Sequence, residues 1–272
     1  LTACIGHSAL IRKGVDPADT TFKAAEAALG DAALHAPGAI RAYATGMGQA
    51  RSLQSTLSGE VEAALHDGSI DAWFQPQICS RTGTLTGMET LARWQHPKHG
   101  LLGAKEFFPA VEASGHMPLL GQTMQHKALK ALRSWDDAEA RVPTLSLNFS
   151  IVELRDQSLA KSLQAEVSRY DLSADRIVVE VVEQVAGQTD DDAIIATLQM
   201  MRDAGHRIDL EGFGLGKTSL PTLHRFGVHR IKIDRVLANS PHIKRFEVFV
   251  FLAVVAQCEI DVRAGRTDRN SN

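Results

Sequence analysis

Cysteine is scarce in this chain: Cys4, Cys79 and Cys258 are odd in number, far apart and without CxxC spacing. That argues against a disulfide framework or a thiolate zinc site and fits a reducing cytosol. Long apolar runs are missing too. The longest, Val248 to Ala256, spans nine residues, under half of the ~20 that a membrane helix needs. No charge excess stands out either, with 29 Lys+Arg against 32 Asp+Glu, a net charge of -3 and a pI near 6.4. No overall field therefore draws the chain to DNA or to an anionic membrane. Aromatic residues make up only 6%, and Trp73, Trp94 and Trp135 read as core or rim residues rather than base-stacking platforms. The first residue is not Met, and no basic segment leads into an apolar core as in a signal peptide. A bacterial cytoplasmic location is the expectation, compatible with a membrane anchor upstream of Leu1.

What is present is an ordinary globular composition, 44% apolar and 22% charged over 272 residues. Five segments place polar or acidic residues among apolar ones: 87–91, 145–149, 178–182, 208–212 and 231–235. Side chains alternate between the faces of a strand. Leu145, Leu147 and Phe149 therefore share one face, and Ser146 and Asn148 the other. Likewise Asp209 and Glu211 oppose Ile208 and Leu210, while Lys232 and Asp234 oppose Ile231 and Ile233. Strands buried on both faces read as continuous apolar runs; these carry a polar face, as where a barrel interior gathers a site from strand ends.

Helical patterns alternate with these strands at Ala104–Ser114, Gln122–Asp136, Leu159–Tyr170, Asp191–Ala204 and Leu220–Phe226. That alternation predicts a parallel sheet with helices outside, an α/β barrel. An opening strand, Ala72–Ile78, would pair antiparallel with Leu85–Met88 through a turn at Thr82-Gly83. Before the barrel, strand-like segments at Leu1–Gly6 and Ile40–Thr45 flank an Ala-rich helix over Thr21–Ala33. Leu53, Leu57, Val61 and Leu65 recur every four residues, predicting a helix from Gln49 to His66. We divide the chain into 1–48, an α/β fragment; 49–68, a helical linker; 69–262, the barrel domain; and 263–272, a polar tail. Arg263, Arg266 and Arg269 belong to that solvated tail.

Glu89, Asn148, Glu180 and Glu211 are oxygen donors near strand ends, the ligand type that Mg²⁺ and Mn²⁺ prefer. Four such groups on one face are hard to explain as isolated buried acids, which are strongly disfavoured. Lys232 either neutralises a substrate phosphate or hydroxide, or forms a salt bridge to Asp234 or Glu211. Arg93, on the same face as Glu89, suits bidentate phosphate binding. Glu211 to Thr218 only superficially resembles a phosphate loop, since the first Gly of that pattern falls on Glu211. His96, His99, His206, His224 and His229 lack ligand spacing.

Several motifs resemble, in order, those of EAL domains, the bacterial cyclic di-GMP phosphodiesterases. They are Phe74-Gln75-Pro76-Gln77, Glu89-Thr90-Leu91-Ala92-Arg93-Trp94, Glu106-Phe107-Phe108-Pro109, Leu145-Ser146-Leu147-Asn148, Glu180-Val181-Val182-Glu183, Gly212-Phe213-Gly214 and Lys232-Ile233-Asp234-Arg235. Residues 1–47 resemble the end of a GGDEF (diguanylate cyclase) domain without its signature loop. The resemblance implies a modified TIM barrel whose mouth binds cyclic di-GMP, with Mg²⁺ or Mn²⁺ activating water to give linear pGpG. It implies Glu89, Asn148, Glu180 and Glu211 as metal ligands. It also implies Lys232 at the attacking water, Glu183 as a tether for the loop after Glu211, and Gln75, Leu91, Arg93 and Asp234 on the substrate side.

The chain departs from that pattern. Glu-Ala-Leu is Glu89-Thr90-Leu91, and two adjacent aspartates are replaced by Glu211 and Gly212. Gly212 offers no ligand, so one ion or none is expected where two are usual. Asp209 should not compensate, lying ~6.6 Å deeper along the strand. The stretch Asp261 to Thr267 has no Glu where the family's general base stands, and the barrel reads as incomplete at its C-terminus. A cyclic di-GMP receptor with weak or no hydrolysis is the expectation. The alternatives are an active phosphodiesterase and a module that associates, as a homodimer for instance, without nucleotide.

Overall fold

The computed structural model describes residues 3–11, 16–35, 38–44, 47–186, 191–213, 220–233 and 259–261, which fall in two compact units. The smaller takes Leu1–His66 and Lys105–His116. In it, β1 (Ile5–His7) pairs parallel with β2 (Ile40–Ala42). Helix α1 (Pro17–His35) begins where the Asp16 carboxylate accepts from Ala18 N and Asp19 N, both at 3.1 Å. That satisfies amides that have no partner inside a helix. A Cβ at Gly6 would stand 2.0 Å from Leu29 N, so α1 can rest on β1 only because Gly6 has no side chain. Helix α2 (Met47–Asp67) meets α3 (Ala104–Ala113) through Ser58 Oγ to Ala110 O, 3.2 Å, and Gln54 Nε2 to Pro109 O, 3.1 Å.

The larger unit is built on β3 (Ile70–Ile78), β4 (Leu85–His96), β5 (Gly100–Gly103), β6 (Leu145–Phe149), β7 (Ile177–Val182), β8 (Arg207–Phe213), β9 (Arg230–Ile233) and β10 (Glu259–Asp261). Its strands run in the order β10-β9-β8-β7-β6-β4-β3, with β5 beside β4. β3 and β4 are antiparallel, as the turn at Thr82-Gly83 suggested, and the pairs from β4 through β6 to β10 are parallel. Helices α4 (Met117–Asp137), α5 (Ile151–Leu154), α6 (Leu159–Arg169), α7 (Glu183–Ala186), α8 (Asp192–Asp203) and α9 (Leu220–Phe226) follow the strands. This is the α/β barrel architecture that the alternation of strands and helices indicated.

The apolar strand faces form the core. Leu145, Leu147, Phe149, Val179, Val181, Ile208, Leu210 and Ile231 pack with Leu129 and Leu132 of α4, Leu163 and Val167 of α6, and Leu198 and Met201 of α8. Each such burial contributes about 1.5–3 kcal/mol. The opposite faces are thereby left to carry the polar residues.

Three local differences from the sequence reading have simple causes. β4 runs unbroken from Leu85 to His96, because its pairing with β3 continues past Met88. β5 is Gly-Leu-Leu-Gly, too short to show alternation. α4 starts at Met117 rather than Gln122, running through Gly121, where a Cβ would lie 1.8 Å from Glu153 Oε1.

Candidate functional site

Glu89, Glu180 and Glu211 converge, with carboxylate oxygens all within 4.8 Å of one another. Strand register brings them together. In parallel pairing Glu89 stands opposite Ser146, Asn148 opposite Glu180, Glu180 opposite Asp209, and Glu211 opposite Lys232. Partners in register share a face, so one polar face runs across β4, β6, β7, β8 and β9. Glu89 and Glu180 are buried, Glu211 half-buried.

Lys232, only 2% exposed, sends Nζ to Glu180 Oε1 and to Glu89 Oε2, the latter at 3.4 Å. Spacing along the sequence offers Asp234 or Glu211 as its partner; among the described residues the ammonium reaches across the barrel to Glu180 and Glu89. Asp234 lies outside the described residues. Asn148 is exposed, and its Nδ2 donates to Thr90 O at 3.3 Å, which turns the amide oxygen to other partners.

The other predicted residues within the described segments lie on β3, β4 and α7. Gln75 is exposed and in antiparallel register with Glu89. Leu91 and Arg93 follow Glu89 on the same strand face, both half-buried, with Arg93 Nη1 donating to Ala92 O at 2.8 Å. Glu183 is buried at the start of α7. Residues 214–219, the loop it was expected to tether, lie outside the described residues, as do 262–272 with the C-terminal departure.

Two glycines shape the site. A Cβ on Gly87 would stand 2.3 Å from Thr144 Oγ1 and 2.9 Å from Thr144 O. Its absence lets Met88 N donate to Thr144 O at 2.8 Å, which sets β4 against β6. Gly212 sits at φ +73°, where the β8–β9 register shifts between Glu211 and Phe213. Two residues of β8 there oppose one of β9, a β-bulge with glycine in the left-handed conformation. In the sequence, Gly212 appeared only as a missing carboxylate; it is also the residue that lets the strand bulge.

Sequence reasoning also missed Arg230. It is 15% exposed and places Nε 2.7 Å from Oδ2 of Asp209, itself 1% exposed. The alternation of β9 puts Arg230 on the face of Lys232, a signal available in the sequence and passed over. Of the histidines, His96 and His206 are buried packing groups, while His99, His224 and His229 are exposed. His96 Nδ1 accepts from Lys98 N and His99 N (3.1 and 3.3 Å), and burial holds His206 below the usual imidazole range.

The cluster suits a hard divalent cation. Among the described residues, three carboxylates gather around one ammonium, so acids outnumber bases at the cluster. Glu180 Oε2 is buried with no hydrogen-bond partner among the described residues, a costly state that a cation relieves. All the donors are carboxylate oxygens, the ligand type that hard divalent cations favour.

The EAL domain family matches residues 58–259, and the chain belongs to that family. Similar proteins include the bifunctional diguanylate cyclase/cyclic di-GMP phosphodiesterase MucR of Pseudomonas aeruginosa, 28% identical over 203 residues, covering 75% of this chain and 30% of MucR. The oxygen sensor protein DosP of Escherichia coli is 29% identical over 179 residues, 66% of this chain and 22% of DosP. The chain thus spans under a third of either relative. Among solved structures, the PaMucR phosphodiesterase in its c-di-GMP complex superposes with TM-score 0.70 at 27% identity, covering 78% of this chain and 88% of that one. No helix among the described residues is long and apolar enough to cross a membrane.

Proposed function

We propose that this chain is a cyclic di-GMP-binding EAL module of bacterial second-messenger signalling, acting as a receptor or regulatory domain with weak or no hydrolysis. One juxtaposition carries the reading. The cluster of Glu89, Glu180 and Glu211 around Lys232 is intact, while Gly212, at a strand bulge, brings no carboxylate beside it. Glu89, Asn148, Glu180 and Glu211 would hold Mg²⁺ or Mn²⁺. Bound divalent ions polarise a phosphoryl oxygen and lower the pKa of an attacking water.

The chain's own side chains do the rest. Lys232 holds Glu89 and Glu180 in a fixed arrangement and lends positive charge to an anionic ligand. Gln75, exposed opposite Glu89, and Leu91 and Arg93 beyond it, offer an amide, an apolar wall and a guanidinium to base and phosphate. Glu183 supports the segment after β8, and Asp234 is a further substrate-side residue. Two ions held as a clamp ~3.5–4 Å apart need carboxylates on both sides, which Gly212 does not supply. Outside the barrel, we propose residues 1–48 as the end of a GGDEF-like domain, 49–68 as a linker and 263–272 as a polar tail.

Titration calorimetry with cyclic di-GMP, with and without Mn²⁺, tests the reading, alongside chromatography for pGpG. Binding with turnover near background is the expected result. No heat at high protein concentration rejects the receptor role, and robust pGpG release that Glu89→Ala abolishes favours an active phosphodiesterase. Light scattering in the same buffer reports whether a second copy associates.

A further inference from the structure

Strands β8 and β9 carry two acid–base rungs on their polar face. Asp209 stands in register with Arg230, and Glu211 with Lys232. In a parallel pair such partners are ~4.8 Å apart, and the rungs are separated by two residues, ~6.6 Å. The deeper rung is closed, with Arg230 Nε 2.7 Å from Asp209 Oδ2 and both side chains nearly buried. In the upper rung Lys232 reaches past its neighbour to Glu180 and Glu89. Asp209 is also in register with Glu180 on its other side. A buried carboxylate in that place, without a counter-charge, would draw the nearest ammonium toward itself.

We infer that Arg230 is a positioning residue: by neutralising Asp209 it leaves Lys232 directed at Glu89 and Glu180. The inference deepens the ion-site reading, and its first measurement needs neither ion nor nucleotide. Arg230 contributes charge and direction here rather than contact with substrate.

The experiment reads the side-chain amine signal of Lys232 by nitrogen-15 NMR on the full chain, assigned through its loss in Lys232→Arg. The wild-type signal is expected to be protected from exchange. In Arg230→Met it should move or broaden as Lys232 turns toward Asp209. It should return in the double variant Asp209→Asn/Arg230→Met, and largely return in Arg230→Lys. Mn²⁺ calorimetry gives a second readout. Arg230→Met adds one net negative charge beside the cluster and should tighten Mn²⁺ about tenfold, the order of one charged hydrogen bond, with the double variant near wild type. If Arg230→Met does not fold, Asp209→Asn reads the coupling from the other side, since an unanswered Arg230 then competes for Glu180 and shifts Lys232. An unprotected wild-type signal, or one unchanged in the single variants, overturns the inference. So does a double variant no closer to wild type than Arg230→Met. Failure of Mn²⁺ binding with the NMR coupling intact would instead count against the ion-site reading alone.

Discussion

Lys232 Nζ lies 3.4 Å from Glu89 Oε2, although 143 positions separate them in the chain. The contact is buried at both ends, with side chains 2% and 3% exposed. Removing one partner of a buried ion pair commonly costs about 3–5 kcal/mol. Lys232→Met should therefore lower the melting temperature in chelator. Mn²⁺ should raise it by a larger increment than in the wild type, because the ion then supplies the missing positive charge. Thermal denaturation with and without Mn²⁺ measures both increments, and equal ones would contradict the site.

Repair of the missing carboxylate is limited by the backbone. Open space surrounds a Cβ at Gly212, but φ is +73°, a region that costs an L-residue about 1–2 kcal/mol and that Asp tolerates better than most. Gly212→Asp should thus fold with a modestly lower melting temperature. Combined with Glu211→Asp it should raise Mn²⁺ affinity in calorimetry. Neither variant is expected to restore robust pGpG release, since the stretch from Asp261 to Thr267 contains no Glu. Vigorous hydrolysis by the double variant would remove the main support for the receptor reading.

Glu153 supplies a pH test away from the site. It closes a capping box with Ser150, accepting from Ser150 N at 2.9 Å and Ser150 Oγ at 2.6 Å. Burial nevertheless pushes its carboxyl above the usual range, and the Ser150 hydrogen bonds only partly offset this. A raised acid binds its proton more tightly in the folded state. Its contribution is therefore full below the unfolded value of ~4.3 and declines as pH rises through the folded value. Glu153→Gln keeps an acceptor without the charge. Its melting temperature relative to wild type should increase from pH 4 to pH 8; a flat difference would refute the shift.

Gly87 tests how the strands set the site. A methyl group there would meet both the side chain and the backbone oxygen of Thr144, and backbone cannot step aside as a flexible side-chain end can. Gly87→Ala should cost about 1–3 kcal/mol, as overpacking does. Because Glu89 is two residues further along β4, Mn²⁺ affinity should fall as well. Loss of stability with unchanged Mn²⁺ affinity would show that β4 adjusts without moving Glu89.

Much of the barrel was legible because its cause is local. Alternation along 145–149 and 208–212 follows from backbone geometry alone, so the inward face of Asn148, Asp209 and Glu211 could be read from the chain. α9 begins and ends where its pattern does, at Leu220 and Phe226. Legibility failed where a distant residue decided the outcome. α4 passes through Gly121 because Glu153, on α5, occupies the space of a side chain. Gly212 looked like a mere loss because a bulge is a property of two strands.

By itself, then, the sequence determined the order of elements, the two faces of each strand and the supply of oxygen donors, all consequences of short-range stereochemistry and hydrophobic patterning. Only the tertiary structure decided which charges answer one another. Lys232 chose Glu180 and Glu89, and Arg230 took Asp209. Buried charges pair with whatever the barrel's register brings within a few ångströms, and spacing along the chain carries no trace of that distance.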